Sequence, residues 1–128
     1  MSLETDLYSY LSTYAGLTAL VSTRIYPIGE VPQKVNAPYC VYMLVSNERV
    51  YSHNGFSKLQ ESRIQISVYS ATNLLAKQIR DQMILAMEAW ESASTSVQSC
   101  EYAGEQDFYE SEIQLKHIPI DFIVEYGN

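Results

Sequence analysis

Apolar residues in the first part of the chain recur at helical spacing. Leu3, Leu7 and Leu11 fall at i, i+4 and i+8, and Tyr8 and Tyr14 widen the stripe, which predicts a helix over residues 2–14. Ser2 suits the N-cap, and Glu4 and Asp6 suit the positive end of the helix dipole. Gly16, after Ala15, is expected to end this helix in a left-handed C-cap. Residues 17–21 (Leu-Thr-Ala-Leu-Val) then read as a second short apolar turn packed on the core. Pro27, Gly29, Pro32 and Pro38 punctuate residues 22–37, leaving only a brief extended piece at 24–27. A connection that long often serves as an interaction surface.

The periodicity then changes from helical to alternating. Residues 39–45 are apolar on both faces: Tyr39, Val41, Met43 and Val45 on one, Cys40, Tyr42 and Leu44 on the other. That suits a strand covered on both sides, or one with a face turned to a partner subunit. Residues 63–69 alternate more cleanly, with Ile64, Ile66 and Val68 inward and Arg63, Gln65, Ser67 and Tyr69 outward. Between these arms lies the polar stretch 46–58 with its Asn54-Gly55 turn dipeptide, so a hairpin with a projecting tip is expected.

Helical spacing returns at Leu75, Ile79, Met83, Ala86 and Trp90, placing the main helix from a cap at Ser70 or Thr72 to about Trp90, with Lys77, Arg80, Asp81 and Glu88 more exposed. Serines at 92, 94 and 96 break it, and 97–102 is a candidate strand. An acidic loop over 104–112 leads to a long last strand over 113–126. Ile113 and Leu115 have the opposite parity to Ile118, Ile120, Phe122, Val124 and Tyr126, so a bulge is expected near Lys116 and His117. Pro119 cannot donate to a ladder, which puts this strand at an edge or the proline at that bulge. The fold class is α+β: one domain over 1–128, an antiparallel sheet of about four strands with a long central hairpin, packed against two main helices.

Composition narrows the function. At 128 residues, 47% hydrophobic and 18% charged, the chain reads as folded and globular, with no signal peptide or membrane-length apolar run expected. A net charge of −7 with scattered basic residues argues against specific nucleic-acid binding. Cys40 and Cys100 lie far apart without CxxC spacing, and a buried free thiol is expected at Cys40. The best enzymatic candidate is the acidic loop: Glu110 and Glu112 with His117 could hold a divalent metal or divide acid and base roles. No HxH, HExxH, GxSxG or glycine-rich phosphate loop supports it, so no catalytic residue, cofactor or metal is expected.

Eleven tyrosines are the compositional oddity. Strand packing accounts for many, and the others point to a protein–protein surface, where an amphipathic ring contributes area at low entropy cost. The candidate interface residues are Tyr26, Tyr69 and Tyr109 together with Val50, Tyr51, His53, Asn54, Phe56 and Lys58 of the hairpin tip.

In their order, several segments resemble the tail-completion proteins of long-tailed phages and prophages, also called tail-terminator or head–tail joining proteins. They are Leu-Thr-Ala-Leu-Val at 17–21, Arg-Ile-Tyr-Pro at 24–27, Ala-Pro-Tyr-Cys-Val-Tyr at 37–42, Asn54-Gly55, Arg-Ile-Gln-Ile-Ser-Val-Tyr at 63–69, Asp-Phe-Tyr-Glu at 107–110, and Ile120-Asp121-Phe122. The resemblance implies a non-catalytic virion subunit made in the host cytoplasm. It would assemble as a ring, a hexamer, on the head-proximal end of the tail tube, contacting the tube protein and the head connector. The serine-rich stretch 92–96 departs from the glycine-containing turn commoner in that family. The alternatives are the small enzyme built on Glu110, Glu112 and His117, or another neck or head-completion virion protein.

Overall fold

A computed structural model describes residues 3–52, 55–94 and 96–127, with backbone alone for 50–52 and 55–58. The described residues form helices α1 (Leu3–Leu11), α2 (Ala15–Val21) and α3 (Asn73–Ala93). Their strands are β1 (Ile25–Pro27), β2 (Tyr39–Ser52), β3 (Gly55–Ser70), β4 (Val97–Glu105), β5 (Phe108–Glu110) and β6 (Leu115–Tyr126). The class is α+β as expected, but the sheet has six strands in place of about four, and a third helix joins the packing. Strand order is β1-β2-β3-β6-β4, with β5 continuing the β4 side of β6. Among the described residues only the β1–β2 pairing is parallel.

One face of the sheet carries the core. Cys40, Ile64, Ile66, Val68, Ile118, Ile120, Phe122 and Val124 form one buried cluster with Leu7 and Leu11 of α1, Leu17 and Val21 of α2, and Ile79, Met83, Met87 and Trp90 of α3. The inward alternation expected of β3 and β6 holds. All three helices bury their apolar stripes in this cluster, so they share one side of the sheet. Tyr10 binds α1 to α3: its hydroxyl donates to the Ala86 carbonyl at 2.6 Å and its ring stacks on Trp90 at 5.7 Å. The stripe on α3 differs at two points: Ala76 is fully buried where Leu75 is only partly so, and Met87 is buried as well.

Local chemistry explains the helix ends. Thr72 is the N-cap of α3, its Oγ1 accepting from the Leu75 amide, while Ser70 Oγ accepts from the Thr72 amide. The first helix stops at Leu11, short of Tyr14, and Gly16 lies inside α2 and is no C-cap. Gly16 instead lies against α3: a Cβ there would stand 2.1 Å from Gln82 Oε1, so the end of the Gln82 side chain would have to swing aside.

Three strand expectations are corrected. Much of the polar stretch 46–58 is strand, because β2 and β3 keep pairing through Glu48↔Glu61 and Arg49↔Gln60 to Ser52↔Gly55. Backbone pairing holds this ribbon together where the sequence shows no apolar alternation. No bulge lies at Lys116 or His117, where β3 and β6 pair in unbroken register; the shifts fall on β2 and β4. No bulge is needed, because Ile113 belongs to a turn before β6, with Gln114 at φ 56°, and Leu115 opens β6 half-buried with the parity of His117. Finally, Pro119 sits in an interior strand. Its carbonyl accepts from the Gln106 amide, so its donorless nitrogen faces the gap between β4 and β5, where no ladder bond is lost.

Candidate assembly surface

The sheet face opposite the helices carries a ladder of rings. Tyr39, Tyr69, His117 and Phe108 are register partners on β2, β3, β6 and β5. Their ring centroids lie 4.9 Å (Tyr39–Tyr69), 4.3 Å (Tyr69–His117) and 6.0 Å (His117–Phe108) apart, and Tyr26 of β1 joins at 6.5 Å from Tyr39. Period-two alternation puts such partners on one face, and in-register aromatic pairs stabilise a sheet. Burial raises the pKa of Tyr39, and burial with the neighbouring Tyr39 and Glu110 raises that of Tyr69, so both phenols stay neutral at ordinary pH.

Of the candidate interface residues, Tyr26 and Tyr69 belong to this ladder and Tyr109 is exposed on β5. Val50 and Tyr51 lie on β2, Phe56 and Lys58 on β3, with Tyr51 the backbone partner of Phe56. His53 and Asn54 lie outside the described residues. The described members of the set thus fall in three places: the ring ladder, the β2–β3 ribbon, and Tyr109 on β5. Sequence reasoning missed Tyr39, Phe108 and His117 as ladder members. The available signal was parity, since Tyr39 shares the face of Val41 and Met43, and His117 alternates with the buried Ile118.

The acidic segment is tied to the chain's own cations. Glu105 pairs with Arg80 of α3 at 3.0 Å, and Asp107 pairs with Lys77 at 3.2 Å and Lys116 at 3.1 Å. Hydrogen bonds from Lys116 and Lys77 hold the Asp107 carboxyl below the usual carboxylate range, and the bond to Glu105 raises Arg80 further. Glu110 does meet His117, at 3.1 Å from Nδ1, while Glu112 lies exposed in the turn before β6. His117 Nε2 is buried without a hydrogen-bond partner among the described residues. Among those residues no group of three or more His, Cys, Asp or Glu side chains is arranged to hold a metal ion. Cys40 and Cys100 are free and buried, and burial pushes both thiols up to about 12, which leaves little nucleophilic thiolate.

Comparison with known proteins supplies the rest. The sequence pattern of the family described as tail completion protein gp17 matches residues 5–126. Among solved structures, a chain from the virion of a native gene transfer agent particle has the same fold, with a TM-score of 0.80 over 99% of this chain and 96% of that one, at 19% identity. No curated protein matches the chain.

Proposed function

Because the chain belongs to the tail completion protein gp17 family, we propose that this phage tail protein ends the tail tube as a ring of six copies and presents a surface to the head connector. The observation that carries this reading is the family match over 5–126. Its place is then the virion tail, at the head-proximal end, and its role is structural. The tube protein, the connector and further copies of itself are the partners.

Two structural features support this mechanism. The β2–β3 pairing runs on to Ser52↔Gly55, past Gln60↔Tyr126 where β6 ends, so a two-stranded ribbon extends beyond the sheet. A two-stranded ribbon is marginal by itself and gains stability by packing on something else. Glu105 and Asp107 of the acidic segment, by contrast, pair with cations of the same subunit and act as a clasp joining α3, β4 and β6. Assembly would then proceed by burial of the ribbon against the neighbouring subunit or the tube.

Deleting residues 52–57 in a producing phage tests this. Tails that fail to join heads are expected, with the subunit still folded. Head-joined particles at normal yield would contradict the proposal.

A further inference from the structure

We infer that the ring closes by β-sheet extension, with the free edge of β2 in one copy pairing antiparallel with the free edge of β4 in the next. The inference rests on the ring reading above and specifies its interface.

A head-to-tail ring needs two different, complementary surfaces on each subunit. The sheet offers two. On one side β1 covers β2 only over Cys40–Tyr42, so from Met43 onward that edge has no strand beside it among the described residues. On the other side β4 ends the strand order. Unpaired strand edges present rows of N–H and C=O groups, which another strand can satisfy.

Direction and height both match. β2, β3, β6 and β4 are each antiparallel to the next, so β2 and β4 run oppositely and a neighbour's β4 laid against β2 continues the alternation. Following the register across the sheet, Gly104, Asp121, Gln65 and Met43 stand in one row, and Val97, Tyr126, Gln60 and Arg49 in another. The stretch of β2 beyond β1 and the body of β4 therefore occupy the same rows on opposite sides of one subunit. Edges at equal height join without an axial step, which favours a closed ring over a helical filament.

Side chains agree. Leu44 and Tyr102 stand in one row, through Ile64 and Phe122, and both are exposed, at 37% and 41%, although they lie on the core side of the sheet. Joined edge to edge, they become an aliphatic–aromatic cross-strand pair. Register shifts occur between Leu44 and Ser46 on β2 and between Tyr102 and Gly104 on β4, in adjoining steps of the ladder. Such irregularities bend a strand, as a sheet wrapped into a ring requires.

The test introduces Leu44→Cys and Tyr102→Cys together, in purified protein and in tails isolated from producing cells, with native mass measurement beside mild oxidation. Buried Cys40 and Cys100 contribute little background, their thiols being pushed up to about 12. The expected result is a reducible ladder of covalent multimers ending at the ring, absent from either single variant. Leu44→Pro provides a second arm. Cys40 donates outward to Arg24 and Tyr42 accepts from Ile28, so by alternation Leu44 also points its N–H outward. Proline there removes that donor and spares the β2–β3 ladder, so ring formation should be lost with the monomer's circular dichroism retained. A ring with no cross-link and normal assembly of the proline variant would overturn edge pairing while leaving the ring reading standing. Absence of any ring in both preparations would overturn both. Covalent dimers from a single-cysteine variant would show like edges meeting, and would also overturn the inference.

Discussion

The two faces of the sheet are built from the same strands but by different rules. On the helix side, Ile66, Val68, Ile118, Ile120, Phe122 and Val124 have no solvent exposure, and their burial follows from alternation and helical periodicity together. On the other side, stacked rings stand beside an ion pair, Arg63 with Asp121 at 2.8 Å, and Gln65 also donates to Asp121. The first face holds the domain through apolar burial. The second is stabilised by pairwise contacts between rings and polar groups, some buried, such as Tyr39, and some open to water, such as the Arg63–Asp121 pair.

That difference orders the expected mutational effects. Phe122→Ala on the helix side should destabilise the protein most, by about 3–5 kcal/mol in urea or thermal unfolding, because it opens a cavity the core cannot fill. Tyr39→Ala on the ladder side should cost about 1 kcal/mol beyond the area it loses, from its contacts with Tyr26 and Tyr69. Equal losses at the two sites would remove the distinction between the faces. Thr72→Ala, which takes away the α3 cap, should cost about 1 kcal/mol, and Thr72→Asp should restore most of it. Lys77→Ala should change stability by less than about 0.5 kcal/mol, since its pairing with Asp107 is exposed.

Alkaline pH sharpens the comparison from the helix-covered side. Tyr126 is pushed from 10.0 up to about 12 by burial, and then by its hydrogen bond to the Asp6 carboxylate and that group's charge. The folded state therefore keeps the proton longer than the unfolded one. The contribution is fully present below about pH 10 and is lost as pH rises through about 12. Unfolding midpoints measured from pH 9 to 12 should fall less steeply in Tyr126→Phe than in the unaltered protein. Equal slopes would remove Tyr126 from the account.

Much of the fold was legible because one pattern dominated locally. Leu3, Leu7 and Leu11 mark α1 and Ile64, Ile66 and Val68 mark β3, and all of them are buried as expected. Illegible features depended on long-range partners. Residues 46–49 have no apolar alternation and become strand only because β3 lies alongside. Pro119 is tolerated inside the sheet because a break in distant residues faces its nitrogen. The ring ladder was only partly legible: tyrosine content singled out Tyr26 and Tyr69, yet Tyr39 joins them and His117 continues the ladder, with neighbours that come from other strands. Alternation along the chain gave no reason for Glu110 to meet His117; the pairing of β5 with β6 brings them to 3.1 Å, beside the rings of Tyr69 and Phe108.

Capping itself is tested most directly by the length of tail tubes in cells that produce particles without this protein. If the chain ends the tube, electron micrographs should show tubes of broad, excessive length and few joined to heads, with uniform length restored by the unaltered gene. Tubes of uniform, normal length in its absence would contradict the account.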